Sequence, residues 1–221
     1  MNLLEIVLNF FYPNTCAICE KICDTPICNN CMHRINKNLI SGRKVYIQTK
    51  ERYFDEHIYL FRYRDIIRDL IIKYKFNEKS YLYKAFSYMI LKNQKIMKYI
   101  KKYDIIICVP IHKKRKKCRG YNQSELIIED VCKNDKTLKY VKDLLIKTKN
   151  IKPQSLLNKE DRILNISNVY KIDINKKEII KDRNILIFDD IFTTGSTANE
   201  CAKILKKYDA KKVGILTIAR D

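Results

Sequence analysis

At 221 residues the chain is long enough for one core of ordinary size plus a small appendage. Apolar residues make up 46% and charged residues 32%, which excludes a disordered chain, and no apolar run approaches the roughly 20 residues that cross a bilayer. The formal net charge of +20 favours anionic partners, although Lys, Ile, Asn and Tyr are over-used together, as A/T-rich codons would produce.

The start, Met1-Asn2-Leu3-Leu4-Glu5-Ile6-Val7-Leu8-Asn9-Phe10-Phe11, lacks a basic leader and a small-residue cleavage site. It reads as a short amphipathic helix packed on the body, not as a signal peptide. Cys16, Cys19, Cys23, Cys28 and Cys31 then crowd into sixteen residues. Cys16-x2-Cys19 and Cys28-x2-Cys31 form two knuckles that deliver four thiolates tetrahedrally to Zn²⁺, and the doubled pattern is far more specific than one knuckle. Four thiolates leave no open coordination position, so the ion is structural. In a cytosolic chain metal is favoured over disulfide, with a redox or iron–sulfur site as the lesser alternative. Cys23 is either a replacement ligand or spare, and His33 reads as a surface residue. The scattered Cys108, Cys118, Cys132 and Cys201 read mostly as packing residues.

The N-terminal helix and zinc module are expected over residues 1–40, and a polar stretch from Asn36 to Glu51 reads as a link to a main domain over 52–221. Residues 57–63 read as a strand. Ile66, Ile67, Leu70, Ile71 and Tyr74 recur at helical spacing, and another helix follows through about Lys98. Asp104-Ile105-Ile106-Ile107-Cys108-Val109-Pro110 is an apolar run ended by proline, hence a buried strand. Eleven Lys or Arg residues against one acid, Asp104, fall between Lys92 and Arg119, and the sharpest cluster is Lys113-Lys114-Arg115-Lys116-Lys117-Cys118-Arg119. This basic loop is either solvated surface or an anion site. A helix over 122–132 and strands over 141–146 and 213–219 complete the pattern. Strands alternating with helices predict an α/β fold whose mostly parallel sheet is covered on both faces.

Ile185-Leu186-Ile187-Phe188-Asp189-Asp190-Ile191-Phe192-Thr193-Thr194-Gly195-Ser196-Thr197 carries the most functional information. Four apolar residues run into two carboxylates and then into a hydroxyl-rich loop around one glycine. Ala198, Cys201, Ala202, Leu205 and Tyr208 follow at helical spacing. The segment therefore reads as a buried strand, an acidic strand end, a polar loop and a helix N-terminus. Such a loop holds a phosphate through backbone N–H groups and the helix dipole. Two adjacent carboxylates suit a ribose diol and the hydrated Mg²⁺ that accompanies a pyrophosphate. Either half alone would pass as a cap or a turn. With four glycines, the chain contains neither G-x-G-x-x-G nor G-x-x-x-x-G-K-[ST].

The strand, the acid pair and the Thr-Thr-Gly-Ser-Thr loop resemble the phosphoribosyl-diphosphate (PRPP) signature of type I phosphoribosyltransferases. Other motifs occur in a recognisable order around it: the doubled Cys-x2-Cys, Tyr63, Lys75-Phe76, Val109-Pro110, and Arg119-Gly120-Tyr121-Asn122-Gln123. Then come Lys147-Thr148, Gln154, Asp161-Arg162-x2-Asn165 and the terminal Leu216-Thr217-Ile218-Ala219-Arg220. Over nearly its whole length the chain resembles the ComF family of competence-associated, phosphoribosyltransferase-like proteins. Two positions depart from the family pattern: Val169 replaces a small residue, and arginines common near Lys147 are absent.

The resemblance implies a type I phosphoribosyltransferase-like, mostly parallel sheet flanked by helices, with a small N-terminal four-cysteine zinc module. It implies that Thr193, Thr194, Gly195, Ser196 and Thr197 hold the PRPP 5′-phosphate. Asp189 and Asp190 would lie beside the ribose as catalytic and PRPP-binding residues, with Mg²⁺ arriving on PRPP. Lys113 and Arg119, after Val109-Pro110, would take the pyrophosphate. Natural transformation, with uptake of single-stranded DNA into the cytoplasm, is the implied role, and a DNA-translocating ATPase of the competence machinery is an implied partner. Tyr99, Tyr103 and Tyr121 near the basic stretch suit single strands. The preferred reading is a PRPP/Mg-binding protein serving transformation. The alternative is an active phosphoribosyltransferase on an unidentified acceptor with no direct DNA role, though no segment reads as recognising a base. The chain is expected in the cytoplasm, with the inner face of the cell membrane as a peripheral alternative.

Overall fold

Two apolar runs, residues 185–188 and 213–219, lie at the centre of a five-stranded sheet and are buried on both faces. The computed structural model describes residues 14–47, 49, 51–76, 79–149 and 169–221. The N-terminal helix expected over the first eleven residues lies outside them, as do Gln154, Asp161, Arg162 and Asn165. The strands of the sheet are β1 (Leu39–Val45), β2 (Glu56–Arg62), β3 (Ile105–Cys108), β6 (Asn184–Phe192) and β7 (Lys212–Arg220), in spatial order β1-β2-β7-β6-β3. Only β1 runs antiparallel to its neighbour. β4 (Leu145–Lys147) and β5 (Tyr170–Ile172) pair antiparallel as a separate two-stranded unit. Helices α1 (Asn29–Asn36), α2 (Asp65–Phe76), α3 (Tyr83–Lys92), α4 (Gln94–Ile100), α5 (Lys113–Arg119), α6 (Gln123–Asn134) and α7 (Ser196–Lys207) complete the described elements.

Because side chains alternate along a strand, one run of apolar residues serves two layers. Leu186, Phe188, Leu216 and Ile218 face a layer containing residues of α1, α2, α3, α4 and α6. Ile185, Ile187, Val213 and Ile215 face Ala198, Cys201, Ala202 and Leu205 of α7 and Leu145 and Tyr170 of the small hairpin. The fold is thus a mostly parallel sheet covered on both faces, with a cysteine module at the N-terminal side. Cys16, Ile27, Cys31 and Ile35 pack into the first layer, so the module shares its core with the sheet.

Three local expectations change. The polar stretch from Asn36 to Glu51 is not simply a link, since β1 lies within it. Arg43 and Lys212 reach the buried Glu56 carboxylate at 3.2 and 3.0 Å, and the Tyr103 hydroxyl donates to it at 2.6 Å, which ties β1 and β7 to β2. The strand expected over 141–146 is a three-residue element outside the main sheet. The basic run after Pro110 is a helix, α5, capped by His112, whose Nδ1 accepts from the Lys114 N–H at 3.2 Å, and ended by Gly120 in a left-handed conformation. Cys118 on it is exposed, unlike the buried Cys108 and Cys201.

Candidate functional site

The acid pair sits where the apolar part of β6 ends. Asp189 and Asp190 are half-buried, and Phe192 closes the strand. Gly195 precedes α7 with φ 77°, and no side chain caps that helix. Thr194 Oγ1 and Ser196 Oγ are 2.8 Å apart, so two hydroxyls converge beside the first amides of the helix. Thr193 and Thr194 are exposed, whereas Ser196 and Thr197 are half-buried. The loop thus offers backbone N–H groups, of which that of Ser196 already reaches Thr194 Oγ1 at 3.4 Å, together with hydroxyls and the positive end of a dipole in one place. A Cβ on Gly195 would lie 2.5 Å from Phe192 Cζ, so the loop approaches the ring too closely for any side chain.

Two lysines flank the pair. Lys75, at the end of α2, brings Nζ to 2.8 Å and 2.9 Å from the two oxygens of Asp190. Lys147, at the end of β4, lies over the Tyr170 ring at 5.6 Å. Burial and the neighbouring Asp190 charge push the Asp189 carboxyl up to about 7, while Lys75, the Asp190 N–H and Lys147 pull the other way. Burial and Arg115 hold the Lys147 ammonium below its usual range, and Asp189 opposes them. Burial pushes the Tyr170 hydroxyl well above its usual range, and the Thr197 side chain opposes that shift. Lys75, Lys147 and Tyr170 were not anticipated as site residues. Single lysines carry no pattern in a chain with 45 Lys and Arg, although Lys75 and Lys147 lie in the motifs that mark the family resemblance.

Lys113 opens α5 on the surface, and Arg119 closes it. Lys116 is held by Glu125 at 3.0 Å, so one member of the cluster already has a counterion. The run beyond is a brace. Asn122 caps α6 by accepting from the Ser124 N–H at 3.1 Å, and its Nδ2 donates to Val109 O at 3.2 Å.

Asp190 already bridges an ammonium with both oxygens, so a magnesium ion bound directly to it would have to displace Lys75. Among the described residues, the four cysteines are the one group of three or more ligand-type side chains that converges as a metal site.

The cysteine cluster does fit a metal. The Sγ atoms of Cys16, Cys19, Cys28 and Cys31 all lie within 4.8 Å of one another. Cys19 and Cys28 are 3.8 Å apart, matching the edge of about 3.8 Å expected of a tetrahedron with Zn–S near 2.3 Å. Burial raises Cys16, but N–H groups of Cys19, Cys28 and Ile18 prevail and bring it down to about 6. Burial and the neighbouring thiols push Cys31 up to about 12. A thiol held low and a thiol held high in one cluster is the situation a dication such as zinc relieves. Cys23 stands outside the four and donates to Thr25 O at 3.0 Å, and His33 is exposed.

The sequence profile of the phosphoribosyl transferase domain matches residues 153–221. Competence protein F of Haemophilus influenzae is 25% identical over 215 residues, covering 93% of this chain and 90% of that protein. Competence protein ComFC of Streptococcus pneumoniae is 29% identical over 195 residues, 87% of this chain and 80% of its own. DNA utilization protein YhgH of Escherichia coli K12 is 24% identical over 216 residues, 93% and 89% of the two chains.

Proposed function

The chain belongs to the ComF family, and from that premise we propose that it binds PRPP at the end of β6 and serves natural transformation by handling incoming single-stranded DNA. One observation carries the reading: an adjacent carboxylate pair and an uncapped helix N-terminus meet at the carboxyl end of a central parallel strand. That is where open α/β sheets bind ligands. Thr193, Thr194, Gly195, Ser196 and Thr197 hold the 5′-phosphate, and Asp189 and Asp190 accept from the ribose hydroxyls. Lys113 and Arg119 supply cations on the pyrophosphate side. The names of the relatives, two competence proteins and a DNA utilization protein, support the biological setting.

The second reading is a transferase that turns PRPP over. The position of Asp189 favours it, because a carboxyl pushed up to about 7 exchanges protons near neutral pH. Calorimetric titration with PRPP tests the first reading, and Asp190→Asn should weaken binding through loss of a charge-assisted contact. Pyrophosphate release with candidate acceptors tests the second. Absence of PRPP affinity at millimolar ligand would remove both.

A further inference from the structure

Lys75 lies far from the acid pair in sequence, yet its ammonium bridges both oxygens of Asp190 at 2.8 and 2.9 Å, with side chains 25% and 15% exposed. At that exposure the pair is only partly screened by water. The surrounding contacts show that the lysine is held there. The Tyr74 hydroxyl, next in the chain, is buried and donates to Gln123 O at 2.8 Å, while Gln123 Nε2 donates to Lys75 O at 3.5 Å. Asn122, adjacent to Gln123, holds Val109 O at the end of β3. The start of α6 therefore clamps the end of α2 and the end of β3 together, and this clamp sets Lys75 against β6.

We propose that Lys75 is a built-in counter-cation of the phosphosugar site, standing at Asp190 where a divalent cation would otherwise be needed, so that a pentose phosphate carrying a diphosphate binds with little dependence on magnesium. The inference rests on the PRPP reading above and adds to it the cation requirement. A magnesium ion demands near-octahedral oxygen ligands at about 2.0–2.1 Å, and the ammonium covers the face of Asp190 that would supply one of them. An ammonium has three N–H donors, so one stays free for an oxygen of the ligand. The carboxylate keeps its outer lone pairs for a ribose diol. Lys147 also lies within the field of Asp189. An anionic ligand consequently meets less net negative charge than the bare carboxylate pair would present.

The test is calorimetry on the full chain with PRPP and with ribose 5-phosphate. Each ligand is titrated with added magnesium and in resin-treated buffer without it, a strong chelator being avoided because it would compete for a cysteine-bound metal. Wild-type Kd for PRPP should change by less than about threefold when magnesium is withheld. Lys75→Met should bind about tenfold more weakly without magnesium, the loss expected of one partly buried charge-assisted contact, and should recover when magnesium is added. Lys75→Arg should behave as wild type. Wild-type PRPP binding that disappears without magnesium overturns the inference but leaves the PRPP reading intact, and this arm needs no variant. Folded Lys75→Met protein that matches wild type in magnesium-free buffer also overturns it. If wild type binds neither ligand under either condition, the PRPP reading fails and the inference fails with it.

Discussion

Gly195→Ala offers the sharpest test of the loop geometry. Gly195 holds φ 77°, and a left-handed conformation costs an L-residue about 1–2 kcal/mol. The added Cβ would also stand 2.5, 3.0 and 3.3 Å from three carbons of the Phe192 ring, where contact distances of about 3.5–4.0 Å are normal. The ring has little room to retreat. It stacks on the buried His57 with ring centroids 4.0 Å apart at a 24° interplanar angle, and it meets Phe54 edge-on with centroids 6.0 Å apart. Overpacking of this kind costs about 1–3 kcal/mol, so the total is about 3 kcal/mol. For a chain of this size that is a fall in Tm of about 10 °C. Thermal unfolding followed by circular dichroism measures it. Adding Phe192→Ala should remove the steric part and leave the backbone part, giving a coupling of about 1–2 kcal/mol in a double-mutant cycle. PRPP affinity should fall in the single variant as the loop is displaced. A Tm within about 2 °C of wild type would refute the reasoning, because even the backbone part alone predicts more.

Three further outcomes are expected. Purified protein should carry about one zinc ion per chain by elemental analysis. Cys16→Ser should lose it and unfold the module, since structural zinc contributes roughly 10–16 kcal/mol of apparent binding free energy in small peptides; iron–sulfur absorbance would contradict this. Burial, with Arg220 and Lys44 adding repulsion, lowers His57 to about 3 from an ordinary 6.5. The unfolded chain therefore takes up a proton that the folded one refuses. Stability from this residue is complete above pH 6.5 and falls by about 1.4 kcal/mol per pH unit as pH drops towards 3. Urea titrations of His57→Phe between pH 7 and pH 5 should show a shallower dependence than wild type, and parallel slopes would exclude His57 as the cause. Replacing Lys113, Lys114, Lys116 and Lys117 with Gln should flatten the salt dependence of single-stranded DNA binding by about two to three units, at about 0.7 per phosphate contact. An unchanged slope would place DNA elsewhere on the protein.

What the sequence by itself determined is what short-range spacing encodes. The doubled Cys-x2-Cys needs only neighbouring residues to present four sulfurs, and the structure brings those four together without Cys23. The run from Ile185 to Thr197 likewise carries its strand, acid pair, loop and helix start in one continuous stretch, because a strand buried on both faces must be apolar at every position. Elements whose signal is not local were hidden. β1 has exposed, charged positions such as Arg43 and Lys44, as an edge strand does, and so reads as a linker until it pairs with β2. α5 has no apolar period, and its helical form rests on the His112 cap and the left-handed turn at Gly120. Lys75 and Lys147 become site residues only when α2 and the small hairpin are packed against the sheet. Tertiary structure alone decided those placements, because the attraction of an ammonium for a carboxylate depends on distance in space, and a separation of 115 residues leaves no trace of it in the order of the chain.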